Sequence, residues 1–348
     1  MGEFYDFLGG VTLLVKATLN GSFPRDIKLA KLYSRYYSGK ITYNVLESGI
    51  REHTRKLFRM LREFGIEIFT DGMLRFDDLF NPLINFVDGV EPGRLSRFFE
   101  CTFYFRAPVI KSRIKLKTNV PIPDWLYYSS FLAKEIFGSS FVIKQALPGP
   151  LTLATFSVDE YYRDLTSLIH VWSTEVLEPL SRMILSKVPN AVIELHEPVL
   201  ASRVVSKEVK RADIREIEDL VSSLGKPMWV LTYFGDLGDI IDLVSDLLVS
   251  DKVLLGMDYR STESPISVIK ELGVKKLVVG MIDSRTTVLE KILVMKAEVE
   301  EILEAGVKEV YISNNAPLDP LPEVIAVRKL RRLGRTARGF ASLTRLIG

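Results

Sequence analysis

Polar and charged side chains stand directly behind apolar runs at several places in the chain, and these are the residues that could do chemistry. They are Ser22 and Arg25 in Gly21-Ser22-Phe23-Pro24-Arg25; Asp71 and Arg75, with Asp77 and Asp78 close behind; His196 and Glu197; Tyr233; Asp258 and Arg260; Asp283 and Arg285; and Asn314 and Asn315, followed by Asp319. An imidazole beside a carboxylate, as in His196-Glu197, is a combination that moves protons near neutral pH. The alternative is Glu197 paired with an arginine and His196 merely enclosed. Asp258 with Arg260, and Asp283 with Arg285, offer opposite charges for ion pairs across one opening. Ser22 reads as a ligand contact or as a helix cap, although no Glu or Gln stands three residues later to complete a capping box. Asp71-Gly72 is a turn former as well as a carboxylate site. No Ser-His-Asp or Cys-His nucleophile set is evident. Cysteine occurs once, at Cys101, and histidine three times, at His53, His170 and His196. That excludes an intrachain disulfide and a thiolate-rich zinc site, so no bound metal or cofactor is expected.

The elements that must position these groups follow from periodicity. Eight apolar, β-rich runs occur at Val11–Leu19, Ile66–Phe69, Phe141–Leu147, Val192–Leu195, Met228–Thr232, Val253–Met257, Leu277–Met281 and Val310–Ser313. Near-continuous apolar runs suit parallel strands buried on both faces. Amphipathic helical patterns such as Tyr161–Leu185 and Val288–Ala305 lie between them. The pattern predicts one closed (β/α)8 barrel over residues 1–348, with ligands at the carboxyl ends of its strands. An open doubly wound sheet is the runner-up, but the first turn, Asn20 to Arg25, is no dinucleotide fingerprint. The first three runs are widely spaced. Within that stretch, residues 93–123 read as an excursion whose strands alternate, as in Phe103-Tyr104-Phe105-Arg106 and Ile110 to Lys117. Period-2 alternation with basic residues on one side predicts a solvent-facing hairpin, either a lid or a surface for an acidic ligand or partner. Near the C-terminus, Arg328, Lys329, Arg331, Arg332, Arg335, Arg338 and Arg345 follow one another without an acid. This suits the solvated face of a last barrel helix or a polyanion site; with Phe340 as the lone interleaved aromatic, nucleic acid is not the expected partner.

Composition agrees with an ordered globular chain: 348 residues, 47% hydrophobic and 26% charged. Lys plus Arg (46) nearly cancels Asp plus Glu (44), so net charge points to neither nucleic acid nor membrane. The N-terminus is acidic before its apolar run, unlike a secretory signal. No uncharged run of about 18 residues predicts a membrane span. A soluble, cytoplasmic protein is expected.

Taken together, the strand-end strings resemble the cobalamin-independent methionine synthases. The strings are Gly-Ser-Phe-Pro-Arg at Gly21–Arg25, Tyr-Ser-Gly-Lys-Ile ending at Ile41, and Thr-Asp-Gly-Met-Leu-Arg at Thr70–Arg75. Leu-Pro-Gly-Pro-Leu-Thr at Leu147–Thr152, Glu197-Pro198, Leu-Thr-Tyr-Phe-Gly at Leu231–Gly235 and Gly-Met-Ile-Asp-Ser-Arg at Gly280–Arg285 follow in the family's order. The resemblance implies a TIM-type barrel and methionine biosynthesis. Full-length members have two such barrels; the second carries the catalytic zinc and the first helps to bind the folate donor. This chain has the length of one barrel, and its Leu231 and Ile282 strings look like the first. Where the catalytic barrel has His-x-Cys, this chain has Tyr233 and Gly235; where it has a later zinc Cys, this chain has Ala316. The zinc carboxylate falls near Met257–Asp258. A homocysteine-binding Asp is replaced by His196 and a Glu by Met73, so only Ser22 of that set survives.

The resemblance therefore implies a homocysteine methyltransferase-family barrel that is not catalytic alone, acting with a zinc-bearing core subunit and a methyl-folate or methyl-corrinoid donor. The expected ligand contacts are Ser22, Arg25, Asp71, Arg75, His196, Glu197, Tyr233, Asp258, Arg285, Asn314 and Asn315. Arg25, Arg75, Lys111, Arg113, Lys115 and Lys117 are candidates for a polyglutamate tail or a corrinoid carrier. Two alternatives stand beside this one: a stand-alone methyltransferase working around His196, Glu197 and Asp258, and a non-enzymatic ligand-binding or regulatory barrel.

Overall fold

Eight parallel strands close into a barrel with helices packed outside, as the apolar runs predict. The computed structural model describes residues 13–99, 104–249 and 251–341. In chain order the strands are β1 (Leu14–Leu19), β2 (Ile68–Thr70), β3 (Val87–Arg97), β4 (Tyr104–Leu116), β5 (Val142–Pro148), β6 (Val158–Asp159), β7 (Val192–His196), β8 (Met228–Leu231), β9 (Val253–Asp258), β10 (Lys276–Ile282) and β11 (Glu309–Asn314). Around the barrel they run β1-β11-β10-β9-β8-β7-β5-β2, and β1 closes the ring by pairing with both β11 and β2. Among the described residues no helix is long and apolar enough to cross a membrane.

Alternate residues of each strand face opposite sides. One set packs outward against the helices in a large cluster that includes Ile193, Leu195, Val230, Leu255, Val279 and Ile312. The other set points inward and forms its own cluster: Ile68, Val142, Val192, Trp229, Leu231, Leu254, Val278 and Tyr311. The inward set turns polar toward the carboxyl ends of the strands, where Thr18, Lys144, Glu194 and His196 lie fully buried.

The hairpin excursion is real but begins earlier than expected. Strands β3 and β4 pair antiparallel from Val87–Leu116 to Arg97–Tyr104, and β4 also pairs with β6. By Ile122 the chain is already in the helix Ile122–Phe137, so its return to the barrel precedes the expected end at 123. Cys101, Phe103, Val11, Thr12 and Arg345 lie outside the described residues. The alternation is as read: Phe105, Ile110, Ile114 and Leu116 are buried, while Arg106, Lys111, Arg113 and Lys115 are exposed. The buried side joins an aromatic cluster, with Phe80 4.8 Å from Phe105 and Phe98 4.7 Å from Phe156 between ring centres.

Two helical patterns are shorter than their periodicity suggests. The Tyr161–Leu185 pattern starts as a helix only at Leu165, because Asp159 takes the N–H groups of Tyr161 and Tyr162 and Asp164 caps Ser167. One π-helical turn at Ser173–Leu177 then divides it. The Val288–Ala305 pattern is helical only from Ile292, since Lys329 holds the Val288 carbonyl at 2.6 Å and Glu290 accepts the Asp283 N–H at 3.0 Å. The basic C-terminal stretch forms the barrel helix Glu323–Arg338. Its Lys329 is fully buried against Glu290 and its Arg332 bonds the Glu290 carbonyl.

Candidate functional site

The mouth of the barrel holds a cavity of about 340 Å3, bounded by the loops after β1, β2 and β11 and by the hairpin. Ser22 lines it and donates from Oγ to Asp319 Oδ1 at 2.5 Å. Asp319 stays open to solvent through the mouth, yet protein surrounds it on its other sides. That desolvation, opposed by the Ser22 bond, holds its carboxyl above the usual range. Arg25 also lines the cavity. It is spent on its surroundings: it pairs with Asp77 at 3.0 Å, donates to the carbonyls of Leu74 and Phe76, and lies 3.7 Å over the Tyr33 ring. Asp78 accepts the N–H groups of Phe80, Asn81 and Arg106, and burial raises its carboxyl despite them.

Tyr233 forms part of the cavity wall and connects it to the polar layer inside the barrel. Its hydroxyl is 3.2 Å from His196 Nδ1, and His196 Nε2 is 2.8 Å from Glu194 Oε1. The same Glu194 oxygen accepts the Gly21 N–H at 2.7 Å, and Oε2 lies 2.5 Å from Lys144 Nζ. Lys144 also donates to Thr18 at 2.9 Å and to Asn20, and sits 4.2 Å over the Trp229 ring. Burial, opposed by Glu194, pulls the Lys144 ammonium down to about 8. Burial would raise Glu194, but the Lys144 charge and the His196 bond outweigh it and bring the carboxyl down to about 2.

His196 and Glu197 are neighbours in sequence that the strand separates. His196 ends β7 on the inner face, whereas Glu197 turns outward, where the Thr152 hydroxyl bonds it. There it lies beside Asp213, which accepts the Leu151 N–H at 3.0 Å. Both are fully buried, and Glu197 Oε2 and Asp213 Oδ2 have no hydrogen-bond donor. Burial, reinforced by Asp213, pushes Glu197 well up, and burial pushes Asp213 up to about 8. The carboxylate that does meet His196 is Glu194, two residues earlier on the same face.

The remaining candidates hold loops rather than the cavity. Asp71 accepts the Met73 N–H and the Ser129 hydroxyl, and Arg75 pairs with Glu47 at 2.7 Å. Asp258 accepts from the N–H groups of Phe234 and Arg260 and from Asn315 Nδ2 at 3.1 Å. The expected Asp258–Arg260 ion pair does not form; the Arg260 guanidinium turns to Glu298 at 2.6 Å. Asp283 and Arg285 do pair, at 2.9 Å, but locally and not across the mouth. Asn314 closes the β1–β11 seam through both backbone groups of Asn20. On the hairpin, Lys111 meets Glu160 at 2.6 Å, Arg113 meets Glu175 at 3.2 Å, and Lys117 bonds the Asn85 carbonyl at 2.9 Å.

A zinc ion of the kind the resemblance assigns to the catalytic barrel does not fit these residues. Among the described residues no three His, Cys, Asp or Glu converge to hold a metal. Gly235 has no room for a cysteine side chain, because a Cβ there would lie 2.1 Å from the Ala201 carbonyl oxygen. Tyr233 and Ala316 bring no metal-binding nitrogen or thiolate sulfur to their strand ends.

No family model matches the chain. It is 22% identical over 319 residues to a methionine synthase of Saccharolobus solfataricus, covering 91% of this chain and 92% of that protein. It is also 22% identical over 318 residues to a methionine synthase of Sulfolobus acidocaldarius, covering 91% and 89%. Among solved structures, a B12-independent methionine synthase from a Shewanella species, in complex with selenomethionine, superposes with a TM-score of 0.77 at 18% identity, over 95% of this chain and 98% of that one. A putative vitamin-B12 independent methionine synthase from Listeria monocytogenes gives 0.71 at 19% identity, over 94% and 98%.

Proposed function

We propose that this relative of the methionine synthases serves methyl transfer to homocysteine as a barrel without zinc, working beside a separate zinc-bearing core barrel. The observation that carries the reading is the set of residues at the strand ends. Tyr233, Gly235 and Ala316 stand where the resemblance places zinc donors, and the one strand-end imidazole, His196, is held between Glu194 and Tyr233. A thiol with a pKa near 8.5 needs a metal or a base to be a thiolate at neutral pH. In this reading the partner's zinc supplies that activation when bound there. This chain contributes the mouth cavity, where Ser22, Asp319 and Tyr233 bind and orient the methyl donor or its carrier.

A second reading is a stand-alone methyltransferase. It is favoured by length: the chain covers 92% of the Saccharolobus solfataricus protein, so a protein of one-barrel size carries the methionine synthase name. Turnover assays of this chain alone, of a zinc-bearing core barrel alone, and of the mixture decide between them. Methyl-folate and methyl-cobalamin serve in parallel as donors. Activity present or raised only in the mixture supports the first reading. Full activity from this chain alone supports the second. No effect on a core barrel, together with no complex by light scattering, defeats the first.

A further inference from the structure

The outside of the barrel carries an arginine face that the mouth does not use. Helix Tyr43–Phe64 lies between β1 and β2 in the chain, and helix Glu323–Arg338 packs beside it. Lys56 pairs with Glu323 at 3.2 Å, Arg331 lies 3.8 Å from Glu63, and Arg338 bonds the Glu63 carbonyl. Arg328, Arg331, Arg335 and Arg338 are three or four residues apart, so they share one side of their helix over about 15 Å. Arg59 and Arg62 stand on the neighbouring helix, and all six are exposed. The acids of the two helices are Glu47, Glu52, Glu63 and Glu323; Arg75, Arg331 and Lys56 already pair with all but Glu52. Among the described residues Arg59, Arg62, Arg328 and Arg335 form no ion pair.

We propose that this face binds the phosphate backbone of a double-stranded nucleic acid. A guanidinium forks onto two oxygens of one phosphate, and the six positions are all arginine although arginine and lysine are about equally frequent over the chain. What the face lacks narrows the partner. A stable protein interface has an apolar centre, a helix lying on a membrane has an apolar side, and a single strand stacks its bases on exposed aromatic rings. The exposed large apolar residues of the two helices, Tyr43, Val45 and Val324, lie in the first turns, before the arginines. A duplex needs none of these: it presents one negative charge per roughly 1.7 Å of its axis and is gripped by its phosphates. The near-zero net charge conceals the face, because the opposite side of the ring is acidic. There, between β8 and β9, residues 236–251 carry Asp236, Asp239, Asp242, Asp246 and Asp251 and neither Lys nor Arg. Arg203 and Lys207 pair with two of them, which leaves an acidic excess. That asymmetry turns the arginine face toward an approaching polyanion. The surface lies outside the mouth, so the proposal stands independently of the methyl-transfer reading.

Fluorescence anisotropy of a short labelled RNA duplex, and of the DNA duplex of the same sequence, titrated with the intact chain tests it. With three or four phosphates held, the logarithm of the affinity should fall with that of salt at a slope of about −3, which is roughly 60-fold between about 50 and 200 mM. Comparing the two duplexes separates an RNA site from a DNA site. The double variants Arg328→Glu with Arg335→Glu, and Arg59→Glu with Arg62→Glu, should each weaken binding at least about tenfold and flatten the slope by about 2. Both should keep the native melting curve, because the side chains replaced are exposed and unpaired. Should a reversed variant not fold, Gln at the same positions takes the place of Glu and should weaken binding at least about threefold. Arg113→Glu, on the hairpin, should leave binding unchanged. The proposal is overturned if neither duplex binds at about 50 mM salt, or if polyglutamate or a single strand of the same charge binds as tightly. Unchanged affinity in the folded variants, or an equal loss in Arg113→Glu, overturns it as well.

Discussion

Replacing Lys144 by methionine keeps the length of the side chain and removes its charge from the interior of the barrel. In the native protein its ammonium and the Glu194 carboxylate are both fully buried and 2.5 Å apart. At an effective dielectric of 20 their attraction is of the order of 6 kcal/mol, most of it offset by the cost of taking two ions out of water. Removing one partner leaves the other charge buried without that compensation, which typically costs 3–5 kcal/mol. Glu194 keeps the Gly21 N–H and the His196 ring nitrogen, so about 3 kcal/mol is the expected loss for Lys144→Met. Adding Glu194→Gln should recover at least about 1 kcal/mol, because no charge is then stranded. Urea unfolding of the four proteins of this cycle, compared at a common slope, measures both numbers. The sign of the pH effect follows from Glu194. Its folded pKa is depressed to about 2, so its stabilisation is present above the unfolded value near 4.3 and is lost as pH falls through 2. A single variant losing less than about 1 kcal/mol, or a double variant no better than the single one, would refute the picture of a buried pair holding the barrel's polar layer together.

Other consequences are simpler to state. Glu197 and Asp213 have raised folded pKa values, so the stability they contribute is complete below pH 4 and is lost as pH rises toward about 8. Chemical unfolding across that window should show stability falling with pH, and Asp213→Asn should flatten the slope. Gly21→Ala should cost about 1–3 kcal/mol in the same assay, because its φ of 62° suits glycine and a Cβ there would lie 2.8 Å from His196 Cε1. Arg113→Glu should change stability by less than about 0.5 kcal/mol, since that side chain is 74% exposed and its pair with Glu175 is a surface one. Elemental analysis of the chain purified without a histidine tag should find well below one equivalent of zinc.

The barrel was legible in the sequence because burial on both faces of a parallel strand leaves a continuous apolar run. All eight runs became barrel strands, and the first turn's lack of a glycine fingerprint correctly set aside the open sheet. Ser22, Arg25, Tyr233 and Asp319 were legible as strand-end residues for the same reason: a known strand end places its next few residues at the mouth. Helix ends were read less well. Asp159, Asp164 and Glu290 capture backbone N–H groups that a hydrophobic pattern does not register.

The site's inner layer needed the fold. Lys144 and Glu194 each interrupt an apolar strand, and a charge in such a run is the signal that could have found them. Only the register of β5 against β7 shows that they face inward and meet, 50 positions apart in the chain (194 less 144). His196 and Glu197 mislead for the opposite reason: adjacency suggests a pair, while alternation along the strand turns one into the barrel and the other toward Thr152 and Asp213. Arg260 likewise stands near Asp258 in sequence but reaches Glu298 on a helix. Sequence by itself determined the strands and which residues end them, because local burial writes that pattern into consecutive residues. Which charges meet was decided by tertiary structure alone, because a salt bridge or proton relay depends on which faces the closed barrel brings together, and that is a relation between residues far apart in the chain.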